Sequence, residues 1–374
     1  MRDVVEIGMG REARRGYDLA QVEIVPSRRT RTSKEVSTAW QLDAYRFEIP
    51  LVTHPTDAVV SPRSAVRIGT LGGLAVLNAE GLWARHADAD GAIARVLEAA
   101  GSDDPAEPVR VLQELHAAPI RPDLIAEALK TVREAGVTVA ARVSPQKARD
   151  LTPDLLAAGV EVLVVQGTII SAEHVSEGEP LNLKDFIASL DVPVVAGGVG
   201  DYRTAMHLMR TGAAGVIVGY GESSATTTDA VLGIGVPMAT AIVDAAAARR
   251  DYLDETGGRY VHVIADGGMA GSGDVAKAIA CGADAVMLGE QLADSSESPG
   301  KGLYWTSSAA HPSLPRSDVA GFAPGARDLE SVLFGPASSP YGTVNIFGAL
   351  RRAMAKTGYS DLKEFQRVGL SVRA

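Results

Sequence analysis

One phrase recurs along the chain: a helix-like stretch, then a glycine, then a short β-branched run. It reads LKTVREAGVTVAARVS, LLAAGVEVLVVQG, MHLMRTGAAGVIVGYG and AIACGADAVMLGE. Glycine tolerates the left-handed conformation that ends a helix, and Val/Ile-rich runs without polar alternation suit strands buried on both faces. Each phrase is therefore an αβ unit, and a chain of such units must lay its strands parallel under a cover of helices.

The strand-like runs are FEIPLVTHP, GLAVLN, VTVAARVS, VEVLVVQG, VPVVAGG, AGVIVGYG, YVHVIADGG and ADAVMLGE. Helical stretches such as YRTAMHLMRTG and MATAIVDAAAARRDYLDETG separate most of them. Eight βα units within about 250 residues predict an α/β fold of the TIM (β/α)8 type, because eight parallel strands can close without a free edge. An open doubly wound sheet is the alternative. The 374 residues are read as a single barrel domain. The Ser, Pro and Gly-rich segment 295–340 is a flap-like loop after the eighth strand, and 342–374 is a C-terminal helical segment. The stretch 81–123 mixes a helix with GSDDPAEPV and is too short for a separate regulatory domain.

Composition narrows the function classes. The net charge of -10 is spread along the chain, which argues against a nucleic-acid surface, and the run Arg28, Arg29, Arg31, Lys34 is too short to reverse that. It reads as a solvated face or a subunit contact. The start, MRDVVEIGMGREARRGYD, has charges where a signal peptide needs an apolar core, and no apolar run approaches the roughly 18 residues of a membrane span. A cytoplasmic protein is expected. A single cysteine, Cys281, excludes an internal disulfide framework and a cysteine-based zinc site, and the seven histidines show no ligand spacing, so no metal is expected.

In a barrel the ligand lies at the C-terminal strand ends, and the loops after strands seven and eight commonly hold phosphate. Here those ends are IADGGMAGSGD and MLGEQLAD. Gly267, Gly268 and Gly289 let backbone N–H groups approach an anion, the helix beginning at Ser272 directs a positive dipole end there, and Asp266 is suited to accept from two ribose hydroxyls. The same glycines could instead simply make tight turns. A further loop, VGYGESSATTTDAVLGIGVP (218–237), has the outline of a catalytic loop without an obvious catalyst.

VIADGGMAGSGDVAKAIACGADAVMLGEQLADSSESPG is similar, nearly position by position, to the phosphate-binding stretch of IMP dehydrogenase and GMP reductase. VGYGESSATTTDAVLGIGVP resembles that family's catalytic loop, YDLAQVEIVPSRRTRTSKEVSTAWQLDAYRFEIPLVTHPTDAVVS its N-terminal segment and GALRRAMAKTGYSDLKEFQRV its C-terminal helix region. The pair of CBS modules usual after strand two is missing, which places the resemblance nearest the short IMP dehydrogenase-related paralogues. The resemblance implies a homotetrameric barrel that binds a purine nucleoside monophosphate and moves a hydride between purine C2 and NAD, through a cysteine thiolate that attacks C2. It also implies substrate binding by Ser224, Asp266, Gly267, Gly268 and Gly289.

The chain departs from that family where the chemistry is done. Thr226 stands at the nucleophilic cysteine, Gln166 at the aspartate for the nicotinamide ribose of the cofactor, and Gly198 at an asparagine. Thr56 stands at the methionine beneath the purine, and Glu290 at a serine after Gly289. Trp305, Thr306, Ser307 and Ser308 replace a Gly-Met-Gly-Ser stretch, Arg316 is followed by Ser317 rather than tyrosine, and the Val372-Arg373-Ala374 end lacks the Glu-Gly-Gly associated with potassium. A monovalent cation thus loses its expected ligands.

Cys281 cannot substitute for the thiol, because it precedes strand eight and a strand climbing ~3.3 Å per residue leaves it roughly 20 Å from the mouth. An alcohol is ionised about seven orders of magnitude less than a thiol at neutral pH, a deficit on the order of 10 kcal/mol. A Thr226 mechanism therefore needs an adjacent base, and Glu222 and Asp229 are the only carboxylates in the loop. A Glu290 carboxylate ~4 Å from a phosphate would repel it by about 4 kcal/mol per charge pair at an effective dielectric of 20. The main reading is a nominal IMP dehydrogenase whose cysteine-dependent catalysis is lost. A non-catalytic nucleotide sensor or assembly partner of an authentic IMP dehydrogenase is the first alternative. An oxidoreductase or hydrolase acting on another purine-like ligand is the second.

Overall fold

The computed structural model describes residues 4–174, 181–321 and 327–373. Residues 322–326 of the flap-like segment and Ala374 lie outside the described residues. All eight predicted runs form strands of one parallel sheet: β1 (Leu51–Thr53), β2 (Val76–Asn78), β3 (Ala140–Val143), β4 (Val162–Gln166), β5 (Val194–Val199), β6 (Gly215–Glu222), β7 (His262–Gly267) and β8 (Ala285–Leu288). Around the sheet the order is β1-β8-β7-β6-β5-β4-β3-β2. A parallel bridge from Val52 to Leu74, with Thr53 N donating to Leu74 O at 3.0 Å, joins the two ends. The sheet is a closed TIM barrel, and no further module interrupts it among the described residues.

The local chemistry follows the repeated phrase. Gly136, Gly159, Gly212 and Gly282, one in each phrase, all have positive φ, so each releases its helix into the next strand as an L-residue could do only with strain. Every residue of β4 and β5 is buried, as a sheet covered on both faces requires. Burying one such Val or Leu contributes roughly 1.5–3 kcal/mol, so a charge placed at Val164 would open the barrel wall. The helix Tyr202–Arg210 is started by Asp201, whose carboxylate accepts from Arg203 N at 2.7 Å and Thr204 N at 3.1 Å. It buries Ala205, Met206, Leu208 and Met209 against the barrel.

Three features were not legible in the hydrophobic pattern. A hairpin pairs Val4–Gly8 with Arg11–Arg14, and the strand Gly369–Val372 pairs antiparallel with Val22–Val25. The stretch Gly369–Val372 is exposed throughout, so no apolar alternation marks it. The flap-like segment is also more regular than a loop: it contains Leu303–Tyr304 paired with Ala320–Gly321, a 3-10 turn Ser307–Ala310 and a helix Leu329–Phe334.

Candidate functional site

The C-terminal strand ends surround a cavity of about 720 Å³, within the range of small-molecule sites. Its lining includes His54, Arg142, Gln166, Thr226, Asp266 and Arg316. Another cavity of about 650 Å³ opens where β5 and β7 begin, at the opposite end of the barrel from the loops that carry chemistry in this fold.

Asp266, last but one in β7, is only 3% exposed, and its carboxylate is already engaged. Gln166 Nε2, from the end of β4, donates to Asp266 Oδ2 at 2.9 Å, while His54 Nδ1, just past β1, lies 3.1 Å from Oδ1. Strands 1, 4 and 7 are not neighbours, so barrel closure alone brings these residues together. Gln166 is 6% exposed, and its Oε1 is buried without a partner. His54 was not singled out as a site residue from the sequence. Its place directly after FEIPLVT, at a C-terminal strand end, is the signal that could have found it.

The glycine turns are present, and carboxylates lie close to them. Gly267 and Gly268 have positive φ, and a Cβ on Gly267 would collide with Glu222 Oε2. A Cβ on Gly289 would meet the Tyr304 hydroxyl. Glu290 turns toward the loop after β6: its Oε2 accepts from Ser224 N at 3.0 Å. The space left among Gly267, Gly289, Glu290 and Tyr304 is about 20 Å³, about that of one water molecule, and a further cavity of about 590 Å³ opens beside it, lined by Ser224, Gly268 and Glu290 among others. The helix Ser272–Ala280 does begin here, yet its end is capped by the chain, since Ser272 N donates to Gly342 O at 2.8 Å and Ala270 N to Asp274 Oδ2 at 3.0 Å. Glu222 completes an acidic rim. Burial pushes its carboxyl up to about 7, and its Oε1 is buried with no partner.

Thr226 sits in a loop locked to the flap. Thr227 N donates to Arg316 O at 2.9 Å, Asp318 N donates to Ala225 O at 2.8 Å, and an antiparallel bridge joins Thr226 to Ser317. The Thr226 hydroxyl donates to Gly221 O at 2.7 Å, and Ser223 Oγ lies 2.9 Å from it. Asp229 accepts from the adjacent Ala230 N, and among the described residues no imidazole or carboxylate hydrogen-bonds to the Thr226 hydroxyl. Where a purine platform was expected, Thr56 is 1% exposed and donates to Trp305 O at 2.5 Å. Cys281 caps the far end of helix Ser272–Ala280, buried, with burial pushing its thiol up to about 11.

The opposite wall is cationic. Arg142 donates from Nε and Nη2 to Gln166 O, at 3.0 and 2.7 Å, and lies 3.5 Å from Glu80. Arg85 donates to Glu80 O at 3.0 Å and to Ala118 O. Burial pulls both guanidinium pKa values down.

Fold and site together define a (β/α)8 barrel with glycine turns at the ends of strands seven and eight and a hydroxyl-bearing loop after strand six. The IMP dehydrogenase / GMP reductase domain model matches residues 16–311, and the chain belongs to that family. It is 66% identical over 373 residues to a protein of Mycobacterium tuberculosis called an uncharacterized oxidoreductase, covering 99% of this chain and 100% of that one. To the inosine-5'-monophosphate dehydrogenase of Haemophilus influenzae it is 44% identical over 148 residues, which is 39% of this chain and 28% of that one. The crystal structure of an IMP dehydrogenase/GMP reductase-like protein from Corynebacterium glutamicum superposes with a TM-score of 0.95 at 57% identity, covering 99% of this chain and 98% of that one.

Proposed function

We propose that the chain is an IMP dehydrogenase-related protein of purine nucleotide metabolism that binds a purine nucleoside monophosphate at the barrel mouth without the family's covalent chemistry. The observation that carries this reading is the Thr226 hydroxyl, whose proton is directed to Gly221 O at 2.7 Å. A hydroxyl nucleophile needs a base to take its proton, and a backbone carbonyl cannot serve as one. Gln166 stands where the family resemblance puts an aspartate for the nicotinamide ribose. Its unpartnered Oε1 can accept from a hydroxyl, but a single amide oxygen offers less than the carboxylate it replaces, so NAD is expected to bind weakly. NAD would supply hydride acceptance, and this chain offers no thiol at the barrel mouth to prepare a hydride donor for it.

A homotetramer in the cytoplasm, acting as a nucleotide sensor or as an assembly partner of an authentic IMP dehydrogenase, fits this reading. Glu222 favours a second one. A carboxyl with a pKa of about 7, beside the glycine turns and with a free oxygen, suits acid–base work in a non-covalent oxidoreductase or hydrolase acting on another purine-like ligand. The test follows NADH absorbance with the protein, IMP and NAD, alongside calorimetry of IMP alone. A flat absorbance trace with measurable binding heat is expected, and sustained NADH formation would overturn the proposal.

A further inference from the structure

Three spaces meet at the barrel mouth. The cavity of about 720 Å³ reaches His54 and Asp266, and the gap of about 20 Å³ beyond it is lined by the same two residues together with Gly267, Gly289 and Glu290. That gap shares Glu222, Ser223 and Glu290 with the cavity of about 590 Å³ at the glycine turns. His54 therefore stands between the large cavity and the turns. It is held on three sides: its backbone N donates to Leu288 O at 2.8 Å, its Nδ1 lies 3.1 Å from Asp266 Oδ1, and a Cβ built on Gly221 would stand 3.0 Å from its Cε1. A carboxylate can only accept, so in the neutral ring Nδ1 carries the proton and Nε2 keeps its lone pair. Nε2 makes no hydrogen bond among the described residues, and unlike Gln166 Oε1 it is not enclosed. The Asp266 oxygens, by contrast, are both engaged, one by Gln166 and one by His54.

We infer that His54 reads the sugar of the bound ligand: its Nε2 accepts a hydrogen bond from a ribose hydroxyl of a nucleoside monophosphate, and Asp266 is a positioning residue that holds the imidazole. This rests on the reading that such a nucleotide enters the mouth. In a nucleoside monophosphate the ribose joins phosphate to base, so a ligand with its phosphate at the glycine turns and its purine in the large cavity carries its ribose past His54. Recognition of the sugar thus moves from the carboxylate to the imidazole that the carboxylate orients. An analogue without the facing hydroxyl leaves Nε2 desolvated and without a donor, which is how a polar site rejects it.

The experiment measures binding of IMP, 2'-deoxy-IMP and 3'-deoxy-IMP by calorimetry to the parent protein, His54→Gln and His54→Phe. Melting midpoints confirm that each is folded. The parent is expected to bind IMP about three- to tenfold more tightly than one of the two deoxy analogues, the one lacking the hydroxyl that faces His54. His54→Phe should bring IMP and that analogue to within about twofold of each other. His54→Gln should keep part of the preference, since its amide oxygen can still accept. Nitrogen NMR of the parent carrying isotope-labelled histidine gives a second readout, the His54 signals being those lost in His54→Gln. A proton on Nδ1 and a bare Nε2 are expected, with the Nε2 signal moving upfield when IMP is added and staying in place with that analogue. Equal affinity of the parent for IMP and both analogues, a preference that survives unchanged in His54→Phe, or a proton on Nε2 instead of Nδ1 overturns the inference and leaves the nucleotide reading intact. Absence of IMP binding to the parent overturns both.

Discussion

Gln166 Nε2 donates to Asp266 Oδ2 at 2.9 Å across the barrel interior, joining the end of β4 to the end of β7. Together with His54, it takes both oxygens of a carboxylate that the sequence offers to a ribose. A ligand that uses Asp266 must therefore displace one of these partners or share a lone pair with it.

Replacing Gln166 by glutamate keeps the shape and removes the donor. Two carboxylates would then share a buried site, which raises one pKa strongly and leaves Asp266 without its amide partner. Urea denaturation at pH 7 should show a loss of about 2–4 kcal/mol, shrinking as the pH falls from the raised pKa toward the ordinary carboxyl value of about 4.3 and one carboxyl takes up a proton. An unchanged midpoint would mean that the two groups do not depend on each other.

Thr226→Cys restores a nucleophile to a loop held in place by the flap pairing of Ala225 and Thr227. Incubated with IMP carrying a leaving group at C2, the variant should gain an adduct mass that the parent does not. It should still produce no XMP from IMP and NAD, because Gln166 stands in place of the carboxylate that the proposed cofactor contact needs. Substantial XMP from the parent would end the non-covalent reading.

Glu290→Ser should free Ser224 N and remove a carboxylate from beside the glycine turns. Relief of a repulsion of about 4 kcal/mol per charge pair at ~4 Å predicts phosphate or IMP binding at least about tenfold tighter by calorimetry. Equal affinity in the variant and the parent would show that the carboxylate does not guard this place.

Glu222 makes stability fall with rising pH. Its folded pKa of about 7 lies above the ordinary 4.5, so the folded state holds the proton more tightly. Its contribution is full below the unfolded value, declines through the window from 4.5 to about 7, and is gone above it. Glu222→Gln should therefore stabilise the protein by about 1–3 kcal/mol at pH 8 and change little at pH 4, read from urea midpoints at both. An equal effect at the two pH values would show that the carboxyl titrates normally.

The eight strands, their order along the chain and the glycines that end their helices were determined by the sequence alone. These are local properties: a β-branched run buried on both faces and a left-handed helix end need only a few adjacent residues to declare themselves, as the phrases around Gly159 and Gly212 do. The exposed strand Gly369–Val372 carries no such pattern and could not be read. Where side chains point was decided only by the tertiary structure. Gln166 and Asp266 are 100 residues apart, Ser224 and Glu290 are 66 apart, and His54 and Asp266 are 212 apart. A buried polar atom turns toward whichever donor or acceptor satisfies it, and in a closed barrel the candidates come from non-adjacent strands. The letters could therefore place Glu290 beside the glycine turns and Arg316 on the flap, but that the one accepts from Ser224 N and the other lines the cavity at the barrel mouth depends on the barrel closing around them.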